Sequence, residues 1–121
     1  MGYNSLMDDI RKLTDLIIQF RDQRDWKQFH KPKDLAISLM LEAGEVAEHF
    51  QWKNDDEIES YVKSHRKDIG EELADVLYWV LLMSHDFDID IAQALREKMK
   101  LNAKKYPKDK SKGKHTKYTD L

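Results

Sequence analysis

The chain has 121 residues, 40% hydrophobic and 36% charged, with a formal net charge of −2, which suits one domain with a modest core. Four Gly and two Pro leave little turn chemistry for a many-stranded sheet, and the absence of Cys excludes disulfides, zinc–thiolate sites and thiol catalysis. The longest unbroken apolar run, VLYWVLLM, has 8 residues, too short to span a bilayer, and no basic-then-apolar leader precedes the first helix, so a cytoplasmic protein is expected.

A first helix is expected over residues 6–24, where Leu6, Ile10, Leu13, Ile17 and Phe20 recur every three or four positions and Ser5 with Asp8 makes a capping pair. DWKQFHKP is a connection, and Pro32 suits the first turn of a second helix over residues 33–52. KNDDE interrupts the pattern, with Asp55 or Asp56 placed to cap a short polar helix through EIESYVKSHRK. A third long helix over residues 68–84 carries Ile69, Leu73, Val76, Leu77, Val80 and Leu81 as its core stripe. DFDID is a turn in which Asp90, with Gln93 three residues on, caps a last helix over residues 91–106, ended by Pro107. The expected fold is all-α: a domain over residues 1–107, with four principal helices and one short one, then a basic tail over 108–121 that is mobile or laid across a partner.

Charge is unevenly placed. Residues 96–121 hold ten Lys and Arg against three acids, a balance of +7, and the rest of the chain holds eleven against twenty, a balance of −9. A basic end beside an acidic body could bind nucleic acid, or supply lysines to a small anion whose metals sit on the acids. A solvated terminus is the plainer alternative.

Residues three apart on a helix are about 60° apart around its axis, so Glu42 and Glu45 share a face, as do Glu72 and Asp75. Glu48 and Glu71 flank these pairs but point progressively away. If the two helices pack antiparallel, four carboxylates meet in one pocket. Two like charges about 4 Å apart repel by roughly 4 kcal/mol at an effective dielectric near 20, so such a cluster must hold protons, meet lysines or bind cations. Oxygen donors without His or Cys suit Mg²⁺, or Mn²⁺ in its place. The alternative is that the acids are wetted positions on amphipathic helices. A di-iron bundle would need Glu-x-x-His, but the positions three before the five histidines are Lys27, Val46, Val62, Leu82 and Lys112. His30, His49 and His85 read as surface or capping residues.

No G-x-x-x-x-G-K-[ST] loop is present to cradle phosphates. Lys98, Asn102 and Tyr106 follow at i+4 on the last helix, two polar side chains and a ring on one face. Trp26 and Trp52 are candidates to stack on a base, or else partly buried helix-end residues.

EAGE (Glu42 to Glu45) and EELAD, containing Glu72-x-x-Asp75 after 26 intervening residues, together resemble the E-x-x-E…E-x-x-D signature of MazG-like nucleoside triphosphate pyrophosphohydrolases. RDWKQFHKPKDLA, EHFQWK, EELADVLYW and NAKKYP…KYTDL look like the dCTP pyrophosphatase branch. The resemblance implies an all-α fold and Mg²⁺-dependent hydrolysis of a nucleoside triphosphate, dCTP or a related dNTP, to monophosphate and pyrophosphate. It gives the metal to Glu42, Glu45, Glu72 and Asp75; on the residues' own chemistry, Glu45 is the candidate base for the attacking water. It gives the base pocket to Trp26 and Trp52, and sugar or phosphate contacts to Lys98, Asn102 and Tyr106; Lys98 is placed by its charge to stabilise developing phosphate charge. The chain departs at two points: Trp79, with Tyr78 beside it, stands where the family has Tyr, and Ile17 where relatives have a nucleotide-binding His. The resemblance further implies a homodimer or a dimer of dimers. The rival expectations are a nucleotide or metal sensor without turnover, and a helical adaptor that binds nucleic acid through its Lys-rich end.

Overall fold

The computed structural model of the protein describes the backbone of residues 3–121 and the side chains of residues 9–121. The described residues form six α-helices, with no strand among them: α1 Tyr3–Gln23, α2 Pro32–Glu48, α3 Asp55–Ser64, α4 Arg66–Asp86, α5 Ile91–Lys105 and α6 Lys108–Ser111. Short 3-10 turns occupy Lys27–Phe29 and Tyr118–Asp120. The expected Ser5–Asp8 capping pair lies outside the described side chains. None of the described helices is long and apolar enough to cross a membrane. The helices group into two compact units, residues 1–88 and 89–121.

In the first unit α4 is the hub, packed most extensively on α2, then on α1, and least on α3. Leu35 of α2 and Leu81 and Leu82 of α4 are at most 2% exposed and form its fully buried apolar centre. The expected α4 stripe needs correcting: Leu82, not part of it, is fully buried, whereas Leu73 and Leu77 are 52% and 43% exposed. The cause is the continuous apolar run from Val76 to Met83, which is greasy on more than one face, so periodicity alone does not mark the packed side. Likewise Leu13 and Phe20 of α1 are exposed, whereas Ile17 and Ile18 are half-buried.

Arg21, 1% exposed, reaches from α1 to Asp86 on the last turn of α4, its two terminal nitrogens 2.7 and 2.9 Å from the two carboxylate oxygens. Such a fork-to-carboxylate geometry is what allows a guanidinium to be buried.

Three helix ends differ from expectation. α2 stops at Glu48 rather than running to residue 52, and the chain tightens through His49 N–H to Val46 O (3.3 Å) and Phe50 N–H to Ala47 O (3.0 Å). α3 is capped by Asn54, whose side chain accepts from Glu57 N–H at 3.0 Å, which leaves Asp55 and Asp56 as first-turn acids favoured by the helix dipole. α1 closes in a Schellman motif: Trp26 N–H bonds to Arg21 O (3.2 Å) and Asp25 N–H to Asp22 O (3.1 Å). Asp25 takes the left-handed position at φ 54°, a conformation Asp tolerates better than most residues.

In the second unit, Asp90 caps α5 as expected, accepting from Gln93 N–H at 3.0 Å. The Gln93 side chain does not reach back to complete a capping box; it donates to Glu97 (3.1 Å) and accepts from Arg96. The basic segment 108–121 holds α6 and the 3-10 turn, and returns to the end of α5 where the Tyr106 and Tyr118 rings meet edge-on at 5.9 Å. The Lys105 amine lies 4.9 Å over Tyr118.

Candidate active site

The Schellman turn that ends α1 does more than stop a helix. Its hydrophobic partner pair is Phe20 and Trp26, rings edge-on at 5.7 Å, so the turn fixes the indole against α1. Gln28 bonds to the Asp25 carbonyl (2.9 Å) and carboxylate (3.0 Å) and steadies the same corner. From Phe20 the contacts continue edge-on to Tyr78 (6.4 Å), to Trp79 (4.9 Å) and to His30 (5.5 Å). These rings form a continuous aromatic wall drawn from α1, the α1–α2 connection and α4.

The wall encloses a cavity of about 600 Å³ within the first unit, completed by Leu16, Ile17, Glu42 and Asp75. Two carboxylates from two different helices therefore enter a pocket that is otherwise mostly apolar. Glu42 Oε2 is fully buried and has no hydrogen-bond partner. Burial, then the neighbouring Glu45 carboxyl, then the charges of Asp75 and Glu72, push the Glu42 carboxyl above the usual carboxylate range. His30 shifts the opposite way, below its ordinary value, because burial and the positive charge of Arg21 disfavour imidazolium; its Nδ1 is buried without a partner. Burial raises the Tyr78 phenol against the opposing pull of Arg21 and Arg24.

The two acidic pairs do lie on facing helices. His49, just past the end of α2, pairs with Glu72, whereas Glu42, two turns earlier, shares the cavity with Asp75, so α2 and α4 run in opposite directions. Glu45 and Asp75 are solvent-exposed, and Glu72 is half-buried. A carboxylate oxygen left unpartnered among further carboxylates is a donor set for a hard divalent cation. Among the described residues, no three His, Cys, Asp or Glu side chains stand together as a ready-made metal cage.

Of the other expected site residues, Trp26 and Trp79 line the cavity, and Trp52 does not: it is 85% exposed, beyond the end of α2. Both positions at which the chain departs from the family pattern, Ile17 and Trp79 with its neighbour Tyr78, are cavity wall. Lys98, Asn102 and Tyr106 belong to the second unit; Lys98 is exposed, Asn102 is half-buried with its amide 3.9 Å from Met99 Sδ, and Tyr106 packs on Tyr118. His30, expected at the surface or as a cap, lines the cavity, and His49 is the C-cap residue of α2 but also pairs with Glu72. The place of His49 was within reach of sequence reasoning, since it follows Glu45 by four residues and Glu42 by seven, the spacing of one helical face.

The MazG-like family profile matches residues 37–121. The chain is 40% identical to mouse dCTP pyrophosphatase 1 over 117 residues, 95% of this chain and 67% of that protein. It is 37% identical to the human protein of the same name over the same shares. In structure it resembles a pyrophosphatase from Archaeoglobus fulgidus with a TM-score of 0.78 and 36% identity, covering 82% of this chain and 93% of that one. The chain belongs to the MazG-like family.

Proposed function

We propose that the chain hydrolyses a deoxynucleoside triphosphate, dCTP or a closely related base, to monophosphate and pyrophosphate with Mg²⁺. The chain is a nucleoside triphosphate pyrophosphatase, as the relatives named dCTP pyrophosphatase and the pyrophosphatase of like fold support. The observation that carries the reading is the division of one cavity into an aromatic wall and an acidic end, with Glu42 and Asp75 delivered from α2 and α4. A planar base can stack among Trp26, Tyr78 and Trp79, which buries its faces at little entropic cost to rigid side chains. The triphosphate would then project toward the carboxylates, which need a cation to tolerate it. Glu42, Asp75, Glu45 and Glu72 would hold that cation. Bound there, Mg²⁺ supplies charge neutralisation along the phosphates and acidifies a water for attack on phosphorus.

Glu45, exposed beside Glu42, is the carboxylate proposed to take the proton of that water. Lys98 is proposed to stabilise phosphate charge in the transition state. The exposed apolar side chains of α2 and α4, among them Met40, Leu41 and Leu73 at 63%, 60% and 52%, support self-association with a second copy of the chain. Asp75→Ala should abolish turnover, at least about 10³-fold, while the circular-dichroism helix signal is kept. A folded, active Asp75→Ala protein would remove the acids from the mechanism.

A further inference from the structure

Behind Glu72 lies a chain of side chains, His49, Tyr61, His65 and Lys53, to which nothing in the proposed reaction assigns a part. His49 Nε2 pairs with Glu72 Oε2, and His49 Nδ1 lies 2.5 Å from the Tyr61 hydroxyl. Glu72 Oε2 is fully enclosed, although 26% of the side chain is exposed. His49 is itself only 12% exposed. The Tyr61 ring is clamped in turn: His65 stacks on it at 3.9 Å and 15°, and the Lys53 amine lies 4.0 Å from its centre.

Glu72 Oε2 faces Nε2 on one side of the imidazole and the Tyr61 hydroxyl faces Nδ1 on the other, so the ring is held between α4 and α3. Glu72 Oε2 is thereby held against the imidazole, which fixes the direction of the whole carboxylate. The last turn past α2, the middle of α3 and the first half of α4 are tied together at this one imidazole.

We propose that His49, held in place by Tyr61, is a positioning residue for Glu72 and fixes the orientation in which that carboxylate would meet the divalent cation. This rests on the metal-dependent pyrophosphatase reading. Partners behind a ligating carboxylate typically change metal affinity or activity by about 10–100-fold when removed. A purely structural tie would change melting and leave metal affinity alone.

The test measures Mn²⁺ binding by electron paramagnetic resonance with the non-hydrolysable α,β-imido analogue of dCTP present, and separately the Mg²⁺ dependence of dCTP turnover. Wild type, His49→Ala, His49→Gln and Tyr61→Phe are compared, each with a thermal melt. The expected result for His49→Ala is weaker Mn²⁺ binding and a higher Mg²⁺ half-saturation, each by about 10–100-fold. Nucleotide KM at saturating Mg²⁺ should stay within about threefold of wild type. His49→Gln, which keeps an N–H donor, should recover most of the loss. Tyr61→Phe, which removes one hydroxyl and keeps the ring stack, should weaken Mn²⁺ binding about two- to tenfold, and decides the matter if His49→Ala does not fold. Folded variants that bind Mn²⁺ like an active wild type would overturn the role of His49 alone. A wild type that neither binds Mn²⁺ nor turns over dCTP would overturn the reading beneath it as well.

Discussion

Replacing Asp86 with Ala strands the Arg21 guanidinium, which is 1% exposed and forked onto both Asp86 oxygens at 2.7 and 2.9 Å. Removing one member of a buried pair costs about 3–5 kcal/mol, since the remaining charge loses its partner and cannot regain water. Asp86 is 15% exposed, so the lower end of that range applies, about 3 kcal/mol. For a domain near this size each kcal/mol moves Tm by about 4 °C, giving a fall of about 12 °C in calorimetry or circular dichroism at pH 7. The pH dependence has a definite sign. Burial opposes the Asp86 charge, but the bonds from Arg21 and His85 outweigh it and hold the carboxyl below its usual range. Its stabilisation is therefore present above the unfolded carboxylate value, about 4, and is lost as pH falls through the lower folded value. The gap between wild type and Asp86→Ala should close in that acid range. Replacing both partners, Arg21→Met with Asp86→Leu, should recover most of the loss, because no buried charge is left unpaired. An Asp86→Ala protein that melts within about 2 °C of wild type at pH 7 would refute the reasoning.

The Glu42 carboxyl, pushed up by burial and by its acidic neighbours, holds its proton to higher pH than an ordinary glutamate. Without metal, Glu42→Gln should therefore change Tm little below the unfolded carboxylate value, about 4, and raise it increasingly as pH climbs to the shifted folded value and beyond, and the same substitution should abolish the stabilisation of wild type by Mg²⁺ with dCTP; equal melting of the two metal-free proteins at pH 8 would contradict this. Asp25 at φ 54° should accept Gly with little change, whereas Asp25→Val should cost about 1–2 kcal/mol in urea unfolding, since a β-branched side chain resists the left-handed conformation. Lys98, exposed on α5, should tolerate Met with an unchanged melt but lose about 10²-fold in kcat, and an unchanged kcat would remove it from the chemistry.

Much of the fold was legible because it is local. Periodicity placed all four long helices, Pro32 marked the start of α2, and Asp90 marked the start of α5. What escaped was what neighbours in space decide. The apolar run of α4 did not say that Leu82 faces inward and Leu73 outward, because that is set by where α2 and α1 pack. Arg21 and Asp86 are 65 residues apart, and neither side chain advertises the other in sequence. Trp26 and Trp52 looked equivalent as residues near helix ends. Only Trp26 has a left-handed Asp before it and Phe20 behind it to form the turn that puts it in the cavity wall. The acidic pairs were readable from i,i+3 spacing, and Glu42 and Asp75 do share a cavity. The histidine behind Glu72 was passed over because its tie to α4 is not a sequence pattern, although its spacing from Glu45 placed it on the same face.

The central claim is the reaction. Purified protein incubated with each dNTP and NTP plus Mg²⁺, with and without EDTA, and resolved by ion-exchange chromatography, tests it most directly. The account predicts monophosphate and pyrophosphate in equal amounts, fastest from dCTP or a close relative of it, and none with EDTA. Folded protein that leaves every nucleotide intact, or that releases orthophosphate and a diphosphate instead, would contradict it.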